Sequence, residues 1–269
     1  FMVPDEWKEL YINTLNSVKE GEINISRLDD AVRRVLTVKY RLGLLNGRIP
    51  HNYKYNFIGN EEHKEIARQA VRESIVLLKN NNQILPIKSN KHILVVGSAS
   101  QTISNQMGGW TITWQGTGNE NEDFPGGSSI YAGVEQSVKA AGGSVELAVD
   151  GKFTDKPDVA IVVFDEEPYA EGNGDLDNLE YQRGKKRDLA LLRTLKEQGI
   201  PVVSVFISGR PMWVNPELNA SDAFVAAWLP GSEGSAVADV LFSKVDGQIK
   251  HNFKGKLSFS WPKSPNQSR

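Results

Sequence analysis

The sequence predicts an α/β domain with a mostly parallel sheet, preceded by a short helical segment. After residue 91, short apolar runs alternate with amphipathic stretches of about ten or more residues. This alternation is typical of strands joined by crossover helices. Before residue 91 the apolar residues instead recur every three to four positions, as in helices. The length of 269 residues fits one large or two modest domains.

Composition excludes several classes of protein. The chain has no cysteine, which excludes a disulfide framework and a zinc site built on thiolates. Lys and Arg total 31 and Asp and Glu total 33, so the net charge of −2 argues against nucleic acid as a partner. The four histidines lack ligand spacing, and no apolar stretch approaches the ~18 residues of a membrane span. We therefore expect no metal, no cofactor and no membrane partner.

Two helices are predicted in the first 45 residues. The first spans residues 5–20 and is stopped by Gly21. The second begins at Ser26, whose hydroxyl we expect to cap the first free amides, and ends before Gly43. One apolar stripe runs along this second helix: Leu28, Ala31, Val32, Val35, Leu36, Val38 and Leu42. Residues 46–60 are rich in Asn, Gly and Pro, which indicates a linker.

The remaining elements follow in chain order. A third helix is predicted from Glu61 to Leu78, where an asparagine run ends it. The predicted strands are His92–Val96, Val145–Val149, Val159–Phe164, Val202–Ile207 and Ala223–Trp228. The predicted helices among them are 129–141, Asp188–Gln198 and Ser235–Phe242. Ligand-facing loops of a parallel sheet lie beyond the carboxyl ends of its strands. The informative loops are therefore 97–128, 165–184, 208–216 and 229–234.

The loop after the first of these strands holds two tryptophans four residues apart. Residues 106–116 read Q-M-G-G-W-T-I-T-W-Q-G. Flat indole faces stack on the C–H faces of sugar rings, and glycine lets backbone approach a ligand closely. Trp110 and Trp114 are therefore either a sugar-binding pair or simply core aromatics. A loop so rich in Gly, Thr and Gln makes a poor core, which favours the binding interpretation.

An acidic loop follows the predicted strand Val159–Phe164. Residues 165–175 read D-E-E-P-Y-A-E-G-N-G-D, with five acids in eleven positions. In a partly closed cleft, desolvation and neighbouring carboxylates raise the pKa of a carboxyl, as a general acid requires. The alternatives are a solvated acidic loop or a divalent-cation site. Arg210 either holds this loop by paired hydrogen bonds or simply caps a helix C-terminus, and we favour a structural role.

Four stretches of the chain carry a family resemblance in combination. They are Met2-Val3-Pro4 with Ser26–Leu44; Glu65–Lys79 with Leu85-Pro86; G-G-W-T-I-T-W-Q-G at 108–116; and E-P-Y-A-E-G-N-G-D at 167–175 with S-G-R-P and A-A-W-L-P-G-S-E-G at 208–234. With these motifs the chain resembles glycoside hydrolase family 3, the exo-acting β-glucosidase and β-glucanase group, over essentially its whole length.

The resemblance implies a domain layout. Residues 1–45 would be the C-terminal helices of a TIM-type barrel domain that is otherwise absent, 46–60 a linker, and 61–269 a six-stranded α/β sandwich domain. The chain begins at Phe1, and we expect a fragment, one piece of a nicked or two-chain enzyme, or a truncated form, with little hydrolysis on its own. The apolar stripes of the first two helices should then be exposed or covered by a second chain.

The resemblance also implies a chemistry. Family members are retaining hydrolases that use two carboxyls roughly 5–5.5 Å apart. The nucleophile would be an aspartate on the barrel, and Glu171 would be the acid/base, with Glu166 its nearest rival. Trp110 and Trp114 match the family's aromatic clamp around the acceptor-side sugar. The implied substrate is a β-glucan or β-glucoside, the implied partner is the barrel domain or a second chain, and the implied location is secreted or periplasmic.

Two other interpretations remain open. In the first, the chain is a non-catalytic carbohydrate-binding or assembly module whose acidic loop has no chemical role. In the second, it is a flavodoxin-like nucleotide binder, although its glycine-rich segments do not fit the dinucleotide or P-loop spacing. The substitution Glu171→Gln separates the first from an enzyme. Losing a general acid costs ~10²–10⁴-fold in rate, whereas a binding module would keep its affinity.

Overall fold

The computed structural model describes residues 2–47 and 57–267. The chain forms two compact units, Phe1–Phe57 and Ile58–Arg269. The predicted linker, residues 46–60, lies mostly outside the described residues. Among the described helices, none is both long and apolar enough to cross a membrane.

The first unit consists of two helices, α1 (Trp7–Lys19) and α2 (Ile25–Arg41), and a short 3-10 turn, Leu44–Asn46. The predicted cap of α2 is wrong. Asn24, not Ser26, caps the helix, and its side-chain oxygen accepts the Ser26 N–H at 2.9 Å. The backbone of Asn24 is extended, as a capping residue requires, whereas Ser26 already lies within the helix.

The apolar stripes of α1 and α2 are exposed, as expected. Neither helix has a buried residue. Trp7 and Tyr11 of α1 are 59% and 65% exposed, and Val35 and Val38 of α2 are 55% and 57% exposed. Contiguous apolar surface of this kind marks an interaction face.

The second unit is an α/β domain. Its helices are α3 (Glu61–Ser74), α4 (Ser104–Met107), α5 (Ile130–Ala140), α6 (Arg187–Glu197), α7 (Asn215–Ala220) and α8 (Ala236–Leu241). Its strands are β1 (Val76–Asn80), β2 (Ile87–Lys88), β3 (His92–Val96), β4 (Ser144–Leu147), β5 (Val159–Asp165), β6 (Val202–Ile207), β7 (Ala223–Trp228) and β8 (Phe242–Ser243).

The third predicted helix is too long at its end. α3 stops at Ser74, and Val76–Asn80 form a strand that pairs antiparallel with β7. Ile75, where the chain turns, is fully buried and Val76 nearly so. A short apolar run satisfies both the helical and the strand period, so the sequence does not distinguish them.

The six-stranded, mostly parallel sheet is confirmed. Its order is β1-β7-β6-β5-β3-β4, and only β1 is antiparallel to its neighbour. After β3 the chain adds β4 on one side and β5 on the other. The strand order therefore reverses between β3 and β5, and ligands of open α/β sheets bind at such a switch point, beyond the carboxyl ends of the strands.

Both faces of the sheet are buried, which is why its parallel strands read as continuous apolar runs. Successive residues point to opposite faces. On one face Val95, Ile161 and Val205 pack with α5 and α8. On the other, Leu94, Phe164 and Phe206 pack with Leu192 and Leu195 of α6.

Phe164 provides a test of this second cluster. It is fully buried, and its ring centroid lies 5.4 Å from that of Phe206 and 6.0 Å from that of Phe224. We expect Phe164→Ala to lower the free energy of unfolding by about 3–5 kcal/mol, because it leaves a cavity. Denaturant unfolding measures this. The control is Phe259→Ala, at a ring that is 64% exposed, where a change of similar size would contradict the assignment.

Candidate functional site

Two loops meet at the switch point of the sheet. The loop after β3 carries Trp110 and Trp114, and the loop after β5 carries Glu171. Because β3 and β5 are paired neighbours and parallel, their carboxyl ends share one edge and the two loops lie side by side.

The structure brings together the three residues that the sequence singled out. Trp114 Nε1 donates a hydrogen bond to Glu171 Oε2 at 2.8 Å. Trp110 Nε1 lies 3.0 Å from the same oxygen and 3.3 Å from Oε1. The two indoles are 6.3 Å apart between ring centroids, tilted by 50°, and are 70% and 57% exposed. A single carboxylate thus accepts both indole N–H groups, while much of the ring surface faces solvent.

The raised pKa that the sequence predicts for an acid of this loop is found at the strand end and not at Glu171. Its carboxyl is exposed, and the Trp114 hydrogen bond, then one from its own backbone, hold its pKa below the ordinary value. The raised pKa values belong to two earlier residues of the loop. Burial, then the Asp188 carboxylate, raises the pKa of Asp165 to about 6. Burial also raises the pKa of Glu166, against the lowering effect of Arg210. The difference arises because Asp165 ends a buried strand whereas Glu171 lies farther out, at an exposed position.

The acidic loop is not wholly solvated. Asp165 and Glu166 are partly buried, and Glu167, Glu171 and Asp175 are exposed. No cluster of three or more His, Asp or Glu side chains within residues 2–47 and 57–267 is arranged to hold a metal ion. The loop therefore has a partly buried acidic segment next to β5 and an exposed acidic segment farther from the sheet.

Arg210 fixes the buried part of the acidic loop. Its Nε and Nη2 both donate to Glu166 Oε1, at 2.9 and 2.6 Å, and Nη1 donates to Gly174 O at 2.6 Å. The guanidinium also lies 4.0 Å from the centroid of the Tyr169 ring. Of the two alternatives for Arg210, the structure shows that it holds the loop. Glu166 is committed to this ion pair, which leaves Glu171 as the carboxylate beside the indoles.

The tryptophan loop is strained and packs against the acidic loop. Trp110 and Ile112 adopt positive φ angles of 60° and 61°, which are unfavourable for side chains with a Cβ and most of all for a β-branched one. A Cβ on Gly109 would lie 2.1 Å from Tyr169 O, and one on Gly116 2.2 Å from Gly108 O. These glycines are therefore required for packing of backbone against backbone, rather than for approach of a ligand.

Two further residues link the loops, and neither was singled out from the sequence. Gln115 accepts the Ala170 N–H at 2.7 Å and donates to Glu171 O at 3.0 Å. Asn105 donates to Asp165 Oδ2 at 2.8 Å. The only sequence signal for Gln115 is its place beside Trp114, which does not reveal its partners.

The sequence profile of the glycosyl hydrolase family 3 C-terminal domain matches residues 75–269. The chain belongs to glycosyl hydrolase family 3. The family resemblance that the motifs indicated is thereby confirmed, and the domain matched is the one that bears both loops.

Named relatives within the family include both curated proteins and solved structures. The chain is 34% identical to the lysosomal beta glucosidase of Dictyostelium discoideum over 91% of its own length and 31% of that protein. It is 31% identical to the periplasmic beta-glucosidase of Salmonella typhimurium, over 98% of its length and 37% of that protein. The crystal structure of exo-1,3/1,4-beta-glucanase from a Pseudoalteromonas species matches 99% of this chain and 34% of that one, with 53% identity and a TM-score of 0.94. This chain therefore spans about a third of the length of these relatives.

The raised pKa of Asp165 predicts a pH-dependent stability. Its folded pKa of about 6 lies above the ordinary 3.8, so the folded state retains a proton that the unfolded chain releases first. This contribution is fully present below about pH 4 and is lost as the pH rises to about 6. We expect the free energy of unfolding of Asp165→Asn, relative to that of the unsubstituted chain, to increase by up to about 3 kcal/mol between pH 4 and pH 7. Urea unfolding measures this difference. Asp175→Asn, at an exposed site, is the control. A gain independent of pH would contradict this account.

The Arg210–Glu166 pair makes a second prediction. Arg210→Met leaves the largely buried carboxylate of Glu166 without its partner. We expect the free energy of unfolding at pH 7, measured in urea, to fall by about 2–3 kcal/mol. The value is below that of a fully buried pair because Arg210 retains some contact with water. The double substitution Arg210→Met/Glu166→Gln removes the unpaired charge, so it should recover part of the loss. No recovery would show that Arg210 acts through its Gly174 and Tyr169 contacts instead.

Proposed function

We propose that the chain is the acid/base-bearing part of a retaining, exo-acting β-glucosidase or β-glucan glucohydrolase, which removes glucose from β-glucans or β-gluco-oligosaccharides. The observation that carries this proposal is the position of the Glu171 carboxylate against two exposed indoles. A sugar that stacks on Trp110 and Trp114 brings its glycosidic oxygen towards this carboxylate. The relatives named beta-glucosidase and exo-1,3/1,4-beta-glucanase support the substrate class.

In the proposed mechanism Glu171 acts twice. It first protonates the departing glycosidic oxygen, and then it takes a proton from the water that hydrolyses the glycosyl-enzyme intermediate. The nucleophile is an aspartate on a barrel domain outside this chain, roughly 5–5.5 Å from Glu171 as retaining hydrolysis requires. The indole N–H groups stabilise the ionised form of Glu171, which is the form that the second step uses.

The first step requires a protonated Glu171, whereas in this domain its pKa is lowered. We propose that the barrel domain covers the site and excludes water. Desolvation disfavours the charged carboxylate and raises its pKa towards the working range of a general acid. The assembled enzyme thus has a proton available that the open domain does not hold at neutral pH.

The proposed partner of the chain is this barrel domain, in the same polypeptide or in a second chain. The exposed apolar stripes of α1 and α2 support a partner of this kind. The proposed location is secreted or periplasmic, in keeping with a relative named as periplasmic.

One observation favours the alternative of a non-catalytic carbohydrate-binding module. The lowered pKa keeps Glu171 ionised, and an ionised carboxylate has no proton to donate to a glycosidic oxygen. In such a module the two tryptophans bind sugar, the acidic loop has no chemical role, and no bond is cleaved.

A grafted enzyme separates the two functions. The chain replaces the matching third of the Pseudoalteromonas exo-glucanase, to which it is 53% identical. We expect Glu171→Gln to lower kcat/KM by ~10²–10⁴-fold on laminaribiose, whose leaving group needs a proton, and far less on 2,4-dinitrophenyl β-glucoside, whose leaving group does not. The comparison uses kcat/KM because it reports the first step, whereas loss of the general base in the second step lowers kcat on both substrates. Steady-state kinetics on both substrates measure this difference.

The control variant is Glu167→Gln, an exposed neighbour in the same loop, which should leave both rates unchanged. Two results would support the binding module instead: a graft without activity, and an isolated chain that binds β-glucan equally well with and without Glu171→Gln.

A further inference from the structure

The side-chain amide of Gln115 forms hydrogen bonds with the main chain of two consecutive residues, Ala170 and Glu171. Its Oε1 accepts the Ala170 N–H at 2.7 Å, and its Nε2 donates to Glu171 O at 3.0 Å. Both functional groups of the amide are therefore used on the residue proposed as acid/base and on the residue before it. Glutamine is suited to this because it carries a donor and an acceptor at one end.

The residue that carries this amide is itself held in place. Gln115 is partly buried and lies between Trp114 and Gly116. Gly116 has φ of +75°, and a Cβ there would meet Gly108 O at 2.2 Å and Pro168 Cβ at 3.1 Å. The backbone N–H of Trp110 also donates to the backbone oxygen of Trp114 at 2.8 Å, and this hydrogen bond closes a turn immediately before Gln115. The backbone that carries Gln115 is thus restrained on both sides of the residue.

Glu171 has few other restraints. It is exposed and is followed by Gly172, whose φ is +86°. Apart from the hydrogen bond with its own backbone, its described polar contacts are the two indole N–H groups on its carboxylate and Gln115 on its main chain. Arg210 restrains the loop farther away, at Glu166 and Gly174. Without Gln115 the main chain beside Glu171 would keep the hydrogen bond from Gly174 N–H to Ala170 O at 2.8 Å, and the carboxylate would be fixed mainly from its outer end.

We propose that Gln115 is a positioning residue for Glu171, which holds the main chain so that the carboxylate stays against Trp110 and Trp114. This inference rests on the acid/base role proposed for Glu171. A misplacement of about 1 Å in a catalytic group can cost ~10²-fold in rate, so a defect in positioning is measurable.

The test variant is Gln115→Met, which keeps the length and volume of the side chain and removes both hydrogen bonds. The matched control is Gln101→Met, in the same loop, at an exposed glutamine whose side chain makes no hydrogen bond to the described residues. Gln115→Asn is a second variant, since it keeps a neutral amide but is one methylene too short to hold both main-chain partners.

The first measurement uses the isolated chain of 269 residues and does not depend on activity. Proton–nitrogen NMR follows the indole N–H resonances of Trp110 and Trp114 from about pH 2 to pH 7, with Glu171→Gln to identify the titration that Glu171 causes. In the unsubstituted chain we expect a midpoint below the ordinary pKa of glutamate. In Gln115→Met it should rise towards that ordinary value, while Gln101→Met leaves it unchanged.

The second measurement uses the grafted enzyme. We expect Gln115→Met to lower kcat/KM about tenfold or more on laminaribiose and less than about threefold on 2,4-dinitrophenyl β-glucoside, because only the first substrate needs a well-placed proton donor in the first step. If Gln115→Met does not fold, Gln115→Asn carries the same two comparisons.

Each outcome bears on one proposal. An unchanged indole titration in Gln115→Met, or equal losses on both substrates, would show that Gln115 only stabilises the fold and would overturn the positioning role. An inactive graft of the unsubstituted chain would count against the proposed function, and the NMR titration would still decide whether Gln115 holds Glu171.

Discussion

The pairing of β3 with β5 is the constraint on which the site depends. Residues Ile93–Val96 pair in parallel with Val159–Val162, so both strands end at the same edge. The loop after one strand supplies the indoles, and the loop after the other supplies the carboxylate. The chain reaches β5 only after it has added β4 on the opposite side of β3, and this reversal leaves room above the two strands for loops that meet.

The two loops are then joined by contacts of several kinds. Backbone lies against backbone at Gly109, where any side chain would collide with Tyr169. Gln115 and Asn105 add hydrogen bonds from side chains. Arg210, in the loop after the neighbouring strand β6, also holds the acidic loop. The strained backbone of Trp110 and Ile112 is maintained by this packing. A loop that is restrained at so many points can present exposed tryptophans in a defined geometry.

The acidic loop shows how position along the chain sets the charge state. Asp165 ends a buried strand beside Asp188, and its carboxyl favours the protonated form. Glu166 pairs with Arg210, which offsets only part of the pKa increase that burial causes. Glu171 reaches solvent and accepts two indole hydrogen bonds, so in the open domain it favours the ionised form. Carboxyl groups only a few positions apart therefore favour different protonation states, because burial and hydrogen-bond partners change along the loop.

The sequence by itself determined the α/β class, most of the helices and strands, the family, and the three residues that meet at the candidate site. Apolar periodicity and short motifs are local signals, and they can be recognised in the sequence without the fold. Local signals failed at Val76–Asn80, where the apolar run also fits the end of a helix, and at the α2 cap, where Ser26 and Asn24 are both good capping residues. Tertiary structure alone decided that Gln115 grips the main chain of Glu171, that Arg210 pairs with Glu166, and that Asp165 rather than Glu171 has the raised pKa. These depend on which loops become neighbours and on which carboxylates lose water, and both are set by the order of strands in the folded sheet.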